Sequence, residues 1–213
     1  MNVTMEQFLE GSLVSSISHA IMTNLYPELS YEQSWDGCNF SMNNGNGIRG
    51  TVTFLNNRCI GAIRNERSTV FCGHEAILEL IHKFPRDLIE VAKSETLQYL
   101  LEGSDCGIQP GITSAFWCDS TGLFWASNSF SQFSQDFELF KLCTLPKREA
   151  IVILQEYYGM GRNEVELLKE LLIEKADCFF RQIVLTPSHK ERIPGASIND
   201  ECRVSLRELN IIC

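Results

Sequence analysis

Between residues 5 and 24 the apolar side chains fall at Phe8, Leu9, Leu13, Ile17, Ile21 and Met22, three or four residues apart, and Pro27 follows. That spacing predicts an amphipathic helix ending before the proline. The period changes after Ser30. Tyr31, Trp35 and Phe40 lead into "IRGTVTFL", where Ile48, Val52 and Phe54 share one face of a two-residue repeat, and "RCIGAIR" follows an Asn56-Asn57 pair. Two consecutive asparagines tolerate the positive φ of a tight hairpin, so a meander of two or three antiparallel strands is expected between residues 30 and 66.

Helical spacing returns in "GHEAILELIHKF" (73–84), which stops at Pro85, then in "RDLIEVA" and "SETLQYLLEG". Gly103 reads as the C-cap of the last of these. A second hairpin is expected from "ITSAFWC", the turn Asp119-Ser120-Thr121-Gly122 and "LFWAS". Phe130, Phe133, Phe137 and Phe140 then recur at helical spacing, an aromatic stripe of the kind that fills cores.

Pro146 opens a helix that Gly159 and Gly161 end, and Asn163 with Glu166 makes a capping pattern for the next one. "CFFRQIVLT" fits a helical extension or a strand, and β-branched Ile183 and Val184 leave the two undecided. Residues 187–213 mix charges with Pro194 and Gly195 and read as a loop-rich tail. The fold class is therefore α+β: an antiparallel sheet built from two hairpin segments, joined as one sheet, and packed by a largely helical C-terminal half. With no fixed-period repeat or low-complexity linker, 1–213 is expected to be one domain.

Composition changes this picture little. A hydrophobic fraction of 44% and a charged fraction of 21% suit a folded domain with a core of its own. Eighteen basic against 27 acidic residues leave a net charge of −9. Without Lys/Arg-rich runs, nucleic acid is an unexpected partner, and the acidic balance favours a basic protein.

The nine cysteines are odd in number, contain no C-x-x-C pair, and several sit in apolar stretches, as reduced cysteines do. The N-terminus carries Glu6 and Glu10 and lacks the basic start and apolar run of a secretory leader. Together these predict a cytoplasmic protein with no membrane span.

The sharpest motif is "GNGIRG", in which Gly45, Gly47 and Gly50 spell G-x-G-x-x-G. A dinucleotide site needs a helix behind the last glycine so that its N-terminus meets the pyrophosphate. Here a strand pattern follows, so the glycines are read as a turn. A protein-kinase reading requires catalytic-loop and metal-ligand motifs that the chain lacks, and Arg64 in "GAIR" stands where that chemistry wants Lys. No cofactor is expected. No metal site is expected either, since His74 and His82 on one helix would lie roughly 12 Å apart at about 1.5 Å per residue.

Cys72 in "VFCGHE", at a helix start and next to His74, is the leading candidate nucleophile, because a helix N-terminus lowers a thiol pKa. Cys38 in "WDGCNF" is the second, with His189 or His19 as a distant base. Trp117 and Trp125 are candidates for the wall of a small-ligand pocket.

With no complete catalytic constellation, the first expectation for function is a non-catalytic cytosolic binding protein. Its acidic surface would engage a basic protein partner, in the manner of inhibitor, immunity or accessory proteins. The alternatives are a cysteine-dependent hydrolase or transferase and a small-ligand-binding domain with an aromatic pocket.

Overall fold

A computed structural model describes residues 2–68, 79–82, 84–104, 107–176 and 181–213. The chain divides into two compact units, Met1–Phe8 with Cys38–Lys141, and Leu9–Gly37 with Leu142–Cys213. The sheet of the first unit is antiparallel and, among the described residues, runs in the order β2-β3-β4-β7-β8. These are β2 (Asn39–Asn43), β3 (Ile48–Phe54), β4 (Cys59–Asn65), β7 (Ser114–Cys118) and β8 (Leu123–Ser127), while β1 (Gln33–Asp36) belongs to the second unit. The two hairpins do join, because β4 pairs directly with β7. With the helices gathered towards the C-terminal half, this is the expected α+β class.

The triple-glycine stretch is the turn between β2 and β3. Gly45 and Gly47 have φ of 66° and 84°, the left-handed region where a Cβ is costly. Asn43 Oδ1 accepts from Gly45 N, and Asn44 Oδ1 accepts from the amides of Asn46 and Ile48. Gly50 already lies within β3, so the element behind the motif is a strand.

Strand alternation sends side chains to both faces of the sheet, and in the first unit both faces are covered. On one face, Ile60, Ala62 and Ala115 pack with Leu88 and Ala92 of α2 (Arg86–Ser94) and with Leu97 and Leu100 of a 3₁₀ turn, Thr96–Leu100. The polar positions of this face are paired: Thr53 Oγ1 donates to Asn39 Oδ1 at 2.6 Å and lies 2.7 Å from the Thr96 hydroxyl. Arg49 and Arg64, opposite each other in β3 and β4, share Glu102 Oε1 at 2.6 and 2.9 Å. Burial opposes ionisation of Glu102, but the two guanidinium groups outweigh it and hold the carboxyl below its usual range.

The other face carries the aromatic core. α1 (Met5–Met22) contributes Phe8, whose ring lies 5.6 Å from that of Phe116, 6.1 Å from Phe54 and 6.0 Å from Phe140. Phe137 meets Phe116 edge-on at 5.1 Å. The sheet makes room for these rings by omitting side chains beneath them. A Cβ on Gly61 would sit 2.3 Å from Phe116 Cζ, its cross-strand neighbour. Gly61→Ala is therefore expected to displace Phe116 and lower stability by about 1–3 kcal/mol, the usual cost of overpacking a core. Urea unfolding of the variant checks this.

Gly103 departs from expectation. The apolar run "LQYLL" suggested a helix closed by that glycine, but the chain makes one 3₁₀ turn and then an antiparallel hairpin, β5 (Leu101–Ser104) with β6 (Gly107–Pro110). Gly103 is a strand residue paired with Ile108. The salt link from Glu102 to the arginines of β3 and β4 secures this arrangement, an interaction between distant positions that local spacing does not reveal.

In the second unit, α1 is buried from Gly11 to its end, serines included. A Cβ on Gly11 would meet the Cys143 carbonyl oxygen at 2.1 Å, so the backbones are nearly in contact. The serine hydroxyls are satisfied locally: Ser16 and Ser18 donate to the carbonyls of Ser12 and Val14, both at 2.8 Å. Ser16 Oγ also accepts from Trp35 Nε1 at 2.7 Å.

α4 (Lys147–Tyr158) ends at Gly159, as expected, whereas α5 spans Arg162–Ala176 and so begins before Asn163. The C-terminal tail is more ordered than its composition suggested. Thr186 and Asn199 side chains cap α6 (Pro187–Glu191) and α7 (Asp200–Glu208). β9 (Ile183–Val184) pairs in parallel with β10 (Ile211–Ile212), which settles those two positions as strand. The buried Lys175 ammonium donates to Arg181 O at 2.6 Å and to Leu209 O.

His19 lies 1% exposed in this unit, its Nδ1 2.9 Å from the Tyr158 hydroxyl. Burial lowers its pKa from 6.5 to about 4, against a smaller opposing effect of the Ser30 backbone. As pH falls through 6.5 the unfolded chain takes up this proton while the folded chain refuses it until about pH 4. The expected result is a loss of about 3 kcal/mol across that window. Urea midpoints should show the loss in the wild type and not in His19→Gln.

Candidate functional site

The terminal strand β8 and the helix beside it form the most distinctive surface of the first unit. Between Asp119 and Asp136 the chain has no charged residue. β8 begins after the turn at Asp119, whose carboxylate accepts from Thr121 N at 2.6 Å and Gly122 N at 3.3 Å. Phe124 and Trp125 then point to opposite faces. On one face Phe124 stacks on Trp117 at 4.3 Å. On the other, Trp125 stacks on Phe133 at 5.2 Å and meets Phe130 at 5.6 Å. Phe124 is 43%, Trp125 38% and Phe130 57% exposed.

The two candidate tryptophans do not share a face of the sheet. Trp117 lies opposite Phe124 and Trp125 opposite Phe116, so the two tryptophans are on different sides of the sheet. The aromatic stripe is core at Phe133, Phe137 and Phe140, all buried, but not at Phe130. Phe130 is the first residue of α3 (Phe130–Phe137), where the helix emerges beside β8.

A buried carboxylate holds α3 in place. Ser129 caps the helix, its side chain accepting from Gln132 N. One turn on, the fully buried Asp136 accepts at Oδ1 from Asn65 Nδ2 (2.9 Å) and Gln132 Nε2 (2.7 Å). Its Oδ2 accepts from the hydroxyls of Thr113 (2.7 Å) and Ser114 (2.6 Å). Every lone-pair direction facing the sheet thus has a donor from β4, β7 or the segment before it, which a buried polar group requires. The tie fixes Phe133 under Trp125 and Phe130 at its rim.

The expected catalytic residues have different surroundings. Cys72 and His74 lie outside the described residues. Cys38 is half-buried at the start of the first unit's sheet segment, where its carbonyl accepts from Phe54 N at 2.9 Å. His189 belongs to the second unit, with Nε2 3.4 Å from Glu170 Oε2, a carboxylate that also takes two bonds from Arg192 at 2.9 and 2.6 Å. His19 is buried against Tyr158.

Burial pushes the Cys143 thiol up to about 12, and burial followed by the neighbouring Cys213 does the same to Cys202. Neither ionises near neutrality. Among the described residues no cysteine is in a disulfide. Nor do three or more His, Cys, Asp or Glu side chains among them gather as metal ligands. No described helix is long and apolar enough to cross a membrane.

Comparison with models of known protein families, with characterised proteins and with solved structures finds nothing that matches this chain. Function is therefore argued from the β8 surface itself. If Asp136 is what seats α3, Asp136→Asn puts an amide where only acceptors fit. It should cost about 1–3 kcal/mol, as an unsatisfied buried polar group does, and Trp125 fluorescence should shift towards that of a solvated indole under native conditions.

Proposed function

We propose that this chain is a non-catalytic binding protein that takes an extended segment of a protein partner along the outer border of β8. The observation that supports this reading is the terminal strand itself: it carries three exposed aromatic side chains around it and no charge. Exposed sheet borders in natural proteins are usually guarded by lysine, proline, bulges or covering loops. Among the described residues the Trp125–Ser127 stretch of this border carries no lysine or proline, and flanked by Trp and Phe it has the composition of a peptide-binding edge, where main-chain bonds give affinity and aromatic anchors dominate the energy.

The backbone alternation identifies the groups involved. Asp119 N–H donates to Gly122 C=O at 3.2 Å, which makes Asp119 and Gly122 a hydrogen-bonded pair. Phe124 and Ala126 then bond to β7, and the N–H and C=O of Trp125 and Ser127 turn outward. The net charge of −9 favours a basic partner, steering its approach at low salt and screened at high salt.

The test compares affinity capture from the native host by the wild type and by Trp125→Lys, a charge placed on the proposed border. A partner held by the wild type, lost by Trp125→Lys and weakened by salt is the expected result. Binding should also slow amide exchange at Trp125 and Ser127. Equal capture by both proteins, with exchange at those two amides unchanged, would refute the reading.

A further inference from the structure

Cys59 opens β4 and Cys118 closes β7, and the register sets them directly opposite each other. Two independent bonds fix which way their backbones face. Leu55 N–H donates to Arg58 C=O at 2.7 Å and Asp119 N–H to Gly122 C=O at 3.2 Å. Phe54–Cys59 and Cys118–Leu123 are therefore non-hydrogen-bonded pairs, and Cys59 and Cys118 turn their N–H and C=O groups towards one another. Such a pair keeps its Cα atoms about 5.5 Å apart, inside the range of about 4.4–6.8 Å that disulfides bridge.

The two side chains share the aromatic face of the sheet and interact directly, and neither is in a disulfide. They are chemically unequal. The Cys59 hydrogen bond lowers the pKa of Cys118 against the effect of burial, while burial, followed by Cys118, raises that of Cys59. Cys118 Sγ also reaches the Val3 carbonyl at 3.0 Å. Both thiols are fully buried, and half-buried Val3 and Thr4 cover this end of the pair, so peroxide reaches Cys118 through local opening of that cover.

We propose that Cys59 and Cys118 form a peroxide-reactive dithiol site, in which hydrogen peroxide oxidises Cys118 and Cys59 resolves it to a cross-strand disulfide. In the first step the Cys118 thiolate attacks one peroxide oxygen and the O–O bond breaks. The departing hydroxide takes the thiol's proton and leaves as water, and Cys118 becomes a sulfenic acid. In the second, Cys59 sulfur attacks Cys118 sulfur, the S–O bond breaks, and hydroxide leaves with the Cys59 proton as a second water. Two thiols and one peroxide give one disulfide and two waters. Cys118 loses the hydrogen it offered to Val3, so oxidation removes that bond while Met5 N–H still donates to the Asp119 carbonyl at 2.9 Å.

The full chain is treated with hydrogen peroxide, the dose being raised until half-buried Cys38 or Cys213 is oxidised. It is then denatured, alkylated and mapped without reductant. A peptide pair joining Cys59 to Cys118, two hydrogens lighter and released by dithiothreitol, is the expected product. In Cys59→Ser the reaction should stop at Cys118 and yield a dimedone adduct there. Full alkylation of both thiols at that dose, or linkage of either to a different cysteine, overturns the proposal. The wild-type map decides even if the variant fails to fold.

Discussion

Phe8, Phe54, Phe116, Phe133, Phe137 and Phe140, gathered on one face of the first unit's sheet, need more space than a pleated surface of ordinary side chains leaves. Phe116 lies over Gly61, and Phe140 over Gly50, where a Cβ would come within 2.7 Å of the ring. Phe8 closes the group from α1. Much else in this unit follows from that fit. Glycine at two strand positions weakens the strands by itself, and the rings covering them restore the lost contact. With one face committed to aromatics, the other is left to the smaller residues that meet α2 and to paired hydroxyls such as Thr53 and Thr96.

The same constraint shapes the border of the sheet. Phe133 and Phe137 belong to the aromatic group, so α3 must lie against β7 and β8, and Asp136 anchors it there. A helix seated that close brings its first residue, Phe130, out beside Trp125. The exposed aromatic surface is thus the edge of the core continuing into solvent, positioned by the residues that build the interior. That continuity makes it a rigid surface, and rigid aromatic anchors lose little freedom on binding.

What the sequence reveals here depends on how local the cause is. Asn56-Asn57 and Asp119–Gly122 mark their hairpins because turn conformation is decided by the turn residues themselves, and the glycines at 45 and 47 do the same. Gly103 was misleading because "LQYLLEG" fits a helix locally and the strand is held by Arg49 and Arg64, about forty to fifty residues away. The C-terminal tail looked unstructured because charge and helix caps were interleaved, and only Thr186 and Asn199 in their cap positions show its order.

For the candidate site, the missing charges between residues 119 and 136 were visible in the sequence, but their placement on a terminal strand was not. Apart from Gln132, the donors to Asp136 are far from it along the chain, and a lone aspartate in a phenylalanine stripe looks like solvent-facing polarity.

A strand at the end of the described sheet also bears on how copies of the chain coexist. Two such borders can pair as readily with each other as with a foreign segment, since backbone amides do not distinguish their own kind. A net charge of −9 on every copy opposes that pairing, most strongly at low salt. As acid protonates the carboxylates that repulsion fades, over a fall in pH that also charges His19 against the fold, so association and loss of stability grow together.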